Sequence, residues 1–153
     1  MNINHNYSNN KQGKKIFAMS FAVAALFGAS SVCALENGLG LTPPMGWNTW
    51  NKYYCNINQT VIYTNTDQII RLGLHDLGYN YVNVDDCWLT KERDSEGHVI
   101  VDPETFPDGM AAIGDYIHSK GLKFGIYNSA GTMTCEGRAG SLRYEDIDVS
   151  DYD

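Results

Sequence analysis

The chain has 153 residues, enough for one domain of ordinary size. It carries 18 acidic against 11 basic residues, a formal net charge of −7. A surface of this sign repels phosphate backbones and argues against a nucleic-acid partner.

At the front, Lys11, Lys14 and Lys15 precede an apolar run from Ile16 to about Phe27, and small residues then lead to Val32-Cys33-Ala34. A basic start, a short apolar core and a small-residue cleavage site make residues 1–34 a secretory signal peptide. The run is too short for a comfortable membrane span, which takes about 20 residues, so an uncleaved anchor is disfavoured. Cleavage after Ala34 leaves residues 35–153, which hold all 18 acidic residues and eight of the 11 basic ones, a net charge of −10. The expected location is secreted or extracellular, with vacuolar or lysosomal delivery open, and no membrane attachment after signal cleavage.

From Leu41 the pattern alternates strand and helix. Met45 to Trp50 reads as a short buried strand after Pro43-Pro44, and Asn58-Gln59-Thr60 is a glycosylation sequon suited to a surface loop. Ile62, Ile69, Ile70, Gly73 and Leu77 share one face at helical spacing, with Gly78 placed to end that helix in the left-handed conformation. Tyr79 to Val84, rich in aromatic and β-branched residues, is the second strand. A long polar connection from about Thr90 to Pro107 contains turn chemistry at Asp94-Ser95-Glu96-Gly97. Asp108 is placed to cap a helix on which Met110, Ile113 and Ile117 recur at spacings of three and four, and Gly121 closes it. Leu122 to Tyr127 is the third strand, while Tyr144 to Asp153 is acidic and carries no clear period.

Strand-helix-strand-helix-strand implies parallel strands with right-handed crossovers, in either a doubly wound sheet or a (β/α)8 barrel. No Gly-x-Gly-x-x-Gly turn and no P-loop follows the first strand, which weakens a nucleotide site. In a barrel, function sits on loops after the C-terminal strand ends, and the chemically unusual residues cluster there. The barrel is favoured, with about its first three βα units in this chain.

Asp85-Asp86-Cys87-Trp88 ends the second strand. Two adjacent carboxylates are costly to desolvate unless hydrogen-bonded, and sugar hydroxyls can supply such bonds; helix capping or a solvated loop is the plainer alternative. They do not suit the acid and nucleophile of a retaining glycosidase, which flank the scissile bond about 5 Å apart, because neighbouring strand residues point to opposite faces. His75 and His98 make no ligand spacing with the pair, so a metal site is not expected. Trp47 and Trp50 each offer an indole face to a sugar or to the core, and at most one should face a ligand. Tyr127 is a core phenol or a pocket hydroxyl. Neighbouring parallel strands can bring Cys55 and Cys87 within bridging reach, while Cys135 is left without a partner. An odd count after Cys33 departs implies a free thiol, an intermolecular bond or a missing partner, the last being favoured.

At these residues the chain resembles family 27 glycoside hydrolases, the α-galactosidases. The resemblance is carried by Leu35 to Trp50, by Tyr81 to Trp88, by Arg93 to Gly97, by Thr105-Phe106-Pro107, by His118 to Lys123, by Gly125-Ile126-Tyr127 and by Thr134-Cys135, in the expected order. It implies a secreted, retaining (β/α)8-barrel hydrolase that releases terminal α-linked galactose without a cofactor. Trp50 matches a tryptophan lining the galactose pocket, Asp85 and Asp86 a pair bonding the O4 and O6 side, and Tyr127 a pocket tyrosine. Cys55 and Cys87 match a family disulfide, and Cys135 a cysteine at the pocket edge whose partner lies downstream. The departure is at the C-terminus: the nucleophile segment, similar to Lys-Tyr-Asp-Asn-Cys, and the later acid/base aspartate are expected beyond residue 153. Asp146, Asp148, Asp151 and Asp153 read as solvated loop or helix-start residues instead. A barrel takes about 250 residues, so the chain by itself is expected to be an inactive, poorly soluble fragment. α-N-acetylgalactosaminidase of the same family and a non-catalytic galactose-binding fragment are the alternatives.

Overall fold

The structure, a computed structural model, describes Gly38 and residues 40–152. The expected leader, residues 1–34, and its cleavage point lie outside the described residues. Three parallel strands form the central sheet: β1 (Gly46–Asn48), β2 (Tyr81–Val84) and β5 (Lys123–Ile126), in the order β1-β2-β5. Helix α2 (Gln59–Arg71) lies in the connection from β1 to β2, and α3 (Gly109–Ser119) in that from β2 to β5. This is the βαβαβ arrangement expected from the alternating pattern.

Register explains two of the glycines. Gly46 pairs with Tyr81, and a Cβ at Gly46 would run into the backbone carbonyl of Tyr81. Gly125 pairs with Asn83, whose side chain occupies the place of a Cβ there. On β2, Val82 and Val84 are fully buried, while the alternating Tyr81 and Asn83 are half-buried. Ile62 and Ile69 of α2 and Ile113 and Ile117 of α3 meet those valines in one core, with Trp88, Leu89 and Phe106 extending it beyond the strand end. Burying side chains of this kind contributes about 1.5–3 kcal/mol each.

The structure corrects the sequence reading in several places. The first strand stops at Asn48, and Trp50 instead opens a short helix, α1 (Trp50–Tyr53). The cause is local: Thr49 takes helical dihedrals, and the Asn48 side chain accepts the Trp50 N–H at 2.8 Å. Helix α2 ends at Arg71, and left-handed Gly73 separates it from a 3₁₀ turn, His75–Leu77, which Gly78 then closes. Leu77 consequently leaves the expected buried face and is exposed, as is Ile70 within α2 itself. Asp108 makes no side-chain cap; its carboxylate instead accepts from the Gln59 amide at 2.6 Å and ties the start of α3 to the start of α2. Gly121 does follow the end of α3 with a positive φ of 77°.

The polar connection contains an antiparallel hairpin, β3 (Leu89–Arg93) and β4 (Val99–Val101), turning through Asp94–Gly97. Asp94 organises that turn, its Oδ1 accepting from the N–H groups of Glu96 and His98, both at 2.9 Å. The acidic end is also a helix, α4 (Glu145–Tyr152). Asp148, expected to be solvated, is buried and forms a bidentate ion pair with Arg93, at 2.5 and 2.8 Å. The Arg93 guanidinium also donates to the carbonyls of Gly97 and Gly140 and lies over the Tyr144 ring. Burial raises the Asp148 pKa, but the bonds from Arg93 and Ser141 outweigh it and hold the carboxyl below its ordinary range. No described helix is long and apolar enough to cross a membrane.

Candidate functional site

The C-terminal ends of β1, β2 and β5 bring the sequence-predicted residues to one end of the sheet. Asp85 immediately follows β2 and is half-buried. Its Oδ2 accepts from Asn48 Nδ2 at 2.9 Å, and its backbone N–H donates to the Thr49 hydroxyl at 3.0 Å. Asn48 therefore bonds Trp50 through its carbonyl and Asp85 through its amide nitrogen, fixing the two in one unit. The sequence reading missed Asn48, although a polar side chain inside the run from Met45 to Trp50 was the available signal.

The two carboxylates turn toward different neighbours. Whereas Asp85 reaches Asn48 at the end of β1, Asp86 reaches the loop after β5. Asp86 is 1% exposed, with Oδ1 accepting from Cys87 N–H at 2.7 Å and Oδ2 from Glu136 N–H at 3.0 Å. Backbone amides offset the desolvation of this carboxylate, and each oxygen keeps a second lone pair. Asp85 and Asp86 thus bond different segments just beyond the end of β2.

Of the two tryptophans, Trp47 packs against the core and meets Tyr53 edge-on, while Trp50 is half-buried beside the exposed Tyr54. Both indoles are half-buried, and Trp50 is the one outside the core cluster. Tyr127 continues the β5 ladder by one residue, donating its N–H to Val84 O, and its own carbonyl accepts the Trp88 indole N–H at 2.8 Å. Its hydroxyl lies 3.9 Å from the sulfur of Cys135, which is exposed and free. Burial, then Cys135, then the Asp86 charge raise the Tyr127 pKa, so the phenol stays protonated at ordinary pH. Cys55 and Cys87 form the disulfide, with Cα atoms 5.2 Å apart, and clamp the loop after β1 to the end of β2.

The family model described as alpha galactosidase A matches residues 42–153. The chain belongs to this family. It is 56% identical over 117 residues to alpha-galactosidase 3 of Arabidopsis thaliana, an alignment covering 76% of this chain and 26% of that protein. Among solved structures, alpha-galactosidase I from Mortierella vinacea superposes with a TM-score of 0.74 at 52% identity, covering 77% of this chain and 30% of that one. An alpha-galactosidase from Saccharomyces cerevisiae, solved with raffinose, superposes with a TM-score of 0.73 at 44% identity, covering 76% and 25%. The chain thus spans less than a third of the length of these relatives, and its sheet and helices are a segment of the α-galactosidase (β/α)8 barrel.

Seen as part of an α-galactosidase barrel, two other features fall into place. β1 and β5 have no further strand partner on their outer edges among the described residues. A cavity of about 550 Å³ is lined by Phe124 of β5 and Val101 of β4 and also by the polar Asp115, His118, Asp151 and Tyr152, and neither Asp85 nor Trp50 lines it. None of the predicted sugar-site residues lines it, so we place the candidate site at the strand ends and not in the cavity. Among the described residues no cluster of three or more His, Cys, Asp or Glu is placed to hold a metal ion.

Proposed function

We propose that this chain provides the sugar-recognition wall of a secreted, retaining glycoside hydrolase that releases terminal α-linked galactose. The observation that carries the reading is the Asn48 bridge, which sets the Asp85 carboxylate and Trp50 together at the end of the sheet. Asp85 and Asp86 bond the O4 and O6 side of the sugar, Asp86 from the floor, and Trp50 packs on the apolar sugar face. Tyr127 and Cys135 close the opposite edge. Galactose and glucose differ only at C4, and a site built to bond an axial hydroxyl leaves polar groups unpaired when that hydroxyl is absent. The nucleophile and the acid/base, which must flank the scissile bond, come from outside these residues in this reading.

The test is hydrolysis of nitrophenyl α-galactoside, α-glucoside and α-N-acetylgalactosaminide by the full-length gene product, with and without Asp85→Asn. The expected result is preference for the galactoside and a loss in kcat/KM of roughly tenfold to a hundredfold in the variant, the worth of about one charge-assisted hydrogen bond. Preference for the N-acetylated substrate would move the assignment to α-N-acetylgalactosaminidase. Saturable galactose binding without turnover would make the protein a lectin-like binder, and unchanged kinetics in Asp85→Asn would refute the site.

A further inference from the structure

The sequon Asn58-Gln59-Thr60 plays no part in the sugar site. Asn58 and Thr60 are both exposed at the start of α2. Asn58 has extended backbone and is the N-cap of that helix, its Oδ1 accepting the Val61 N–H at 3.0 Å. Its Nδ2 has no hydrogen-bond partner among the described residues. The platform beneath it is fixed on every side. Ile57 is buried at 2% exposure, Cys55 is bridged to Cys87, and Gln59 donates its N–H to Thr105 O while its side chain pairs with Asp108.

We propose that Asn58 carries an N-linked oligosaccharide. The sequon supplies the acceptor amide and, two residues on, the hydroxyl that the transferase requires. In the transfer, Asn58 Nδ2 attacks the anomeric carbon of a polyprenyl diphosphate-linked oligosaccharide. A C–N bond forms, the anomeric C–O bond breaks, the amide gives up one proton, and the polyprenyl diphosphate leaves with the bonding electrons. The product is still an amide whose carbonyl oxygen is untouched, so the same side chain caps α2 through Oδ1 and carries the glycan through nitrogen. A Ser or Thr cap has only one heteroatom and cannot divide the two roles in this way. The glycan stands where α2 begins, at the end of the sheet that carries the sugar site, with its first residue next to the Cys55–Cys87 clamp.

The inference rests on the secretory reading, and the experiment separates the two. The whole chain is expressed in a eukaryotic host, once with its own N-terminus and once with a heterologous cleavable leader placed before Met1. The peptide containing residue 58 is weighed before and after peptide N-glycosidase, which converts a glycosylated Asn to Asp. With the added leader we expect an oligosaccharide mass on that peptide, lost completely in Thr60→Ala and Asn58→Asp and retained in Thr60→Ser. Asn58→Asp keeps a capping oxygen, so its loss of the glycan does not come from a broken helix start. An unmodified Asn58 in the added-leader protein overturns the proposal. Modification with the added leader but not with the native N-terminus supports the site and overturns the secretory reading.

Discussion

Replacing Arg93 by Met should be among the most costly single changes in this segment of the barrel. The guanidinium makes four hydrogen bonds, to Asp148 Oδ1 at 2.5 Å and Oδ2 at 2.8 Å and to the carbonyls of Gly97 and Gly140 at 2.7 and 2.9 Å. The side chains of Arg93 and Asp148 are 9% and 3% exposed, so the pair is shielded from water. Removing one partner leaves a buried carboxylate without its counter-charge, a loss of about 3–5 kcal/mol. Replacing both, as in Arg93→Met with Asp148→Leu, removes the buried charges together and should recover much of that loss. Urea denaturation of the full-length protein followed by tryptophan fluorescence reads the difference: the single variant should lower the midpoint and the double variant should restore much of it. The Asp148 carboxyl is held below its ordinary range, so its contribution is present above the unfolded carboxylate pKa and is lost as pH falls through the lower folded value. The double variant should lack that acid-dependent step. A single-variant loss below about 1 kcal/mol, the range of an exposed pair, would refute the argument.

Cys55→Ser opens a disulfide spanning 32 positions and should cost about 3–4 kcal/mol by the chain-entropy argument, read as a lower thermal midpoint in the absence of reductant. Gly46→Ala forces a Cβ into the Tyr81 carbonyl on the neighbouring strand and should cost about 1–3 kcal/mol in the same measurement; an unchanged midpoint would show that β1 and β2 can separate without loss. His98 Nδ1 lies 2.7 Å from Asp151 Oδ1, and that bond raises the histidine pKa above its ordinary value. The contribution of this pair is therefore complete below the unfolded histidine pKa and lost as pH rises through the folded one, so an NMR titration of His98 should shift to lower pH in Asp151→Asn. An unshifted titration would mean that the hairpin and α4 are not coupled through this bond.

What the sequence made legible follows from where the stabilisation comes from. β2 and α3 could be read because apolar burial dominates them and leaves a period: Val82 and Val84 on the strand, Ile113 and Ile117 on the helix. The β3–β4 hairpin was hidden because Leu-Thr-Lys-Glu-Arg is mostly polar and its partner is three residues long, although the turn at Asp94–Gly97 was visible. Helix α4 was offered only as an alternative to loop for a related reason, since its one fully buried side chain is Asp148, and a hydrophobic period cannot register a buried carboxylate.

The same blindness explains why the site was only half legible. The residue types at and just after the strand ends singled out Asp85, Asp86 and Trp50 as candidates, and a family resemblance implied roles for them. How they are held depends on hydrogen bonds between distant segments: Asn48 to Asp85 across 37 positions, and Glu136 N–H to Asp86 across 50. Neither bond leaves a trace in composition or periodicity, because one donor is an amide inside an apolar run and the other is a backbone N–H that any residue but proline would supply. Glu136 is accordingly replaceable in its side chain but not in its backbone hydrogen, so Glu136→Ala should leave the Asp86 bond intact while Glu136→Pro removes it. That contrast, more than any substitution of Asp86 itself, separates a carboxylate held by the loop after β5 from one held by burial and the neighbouring Cys87 N–H.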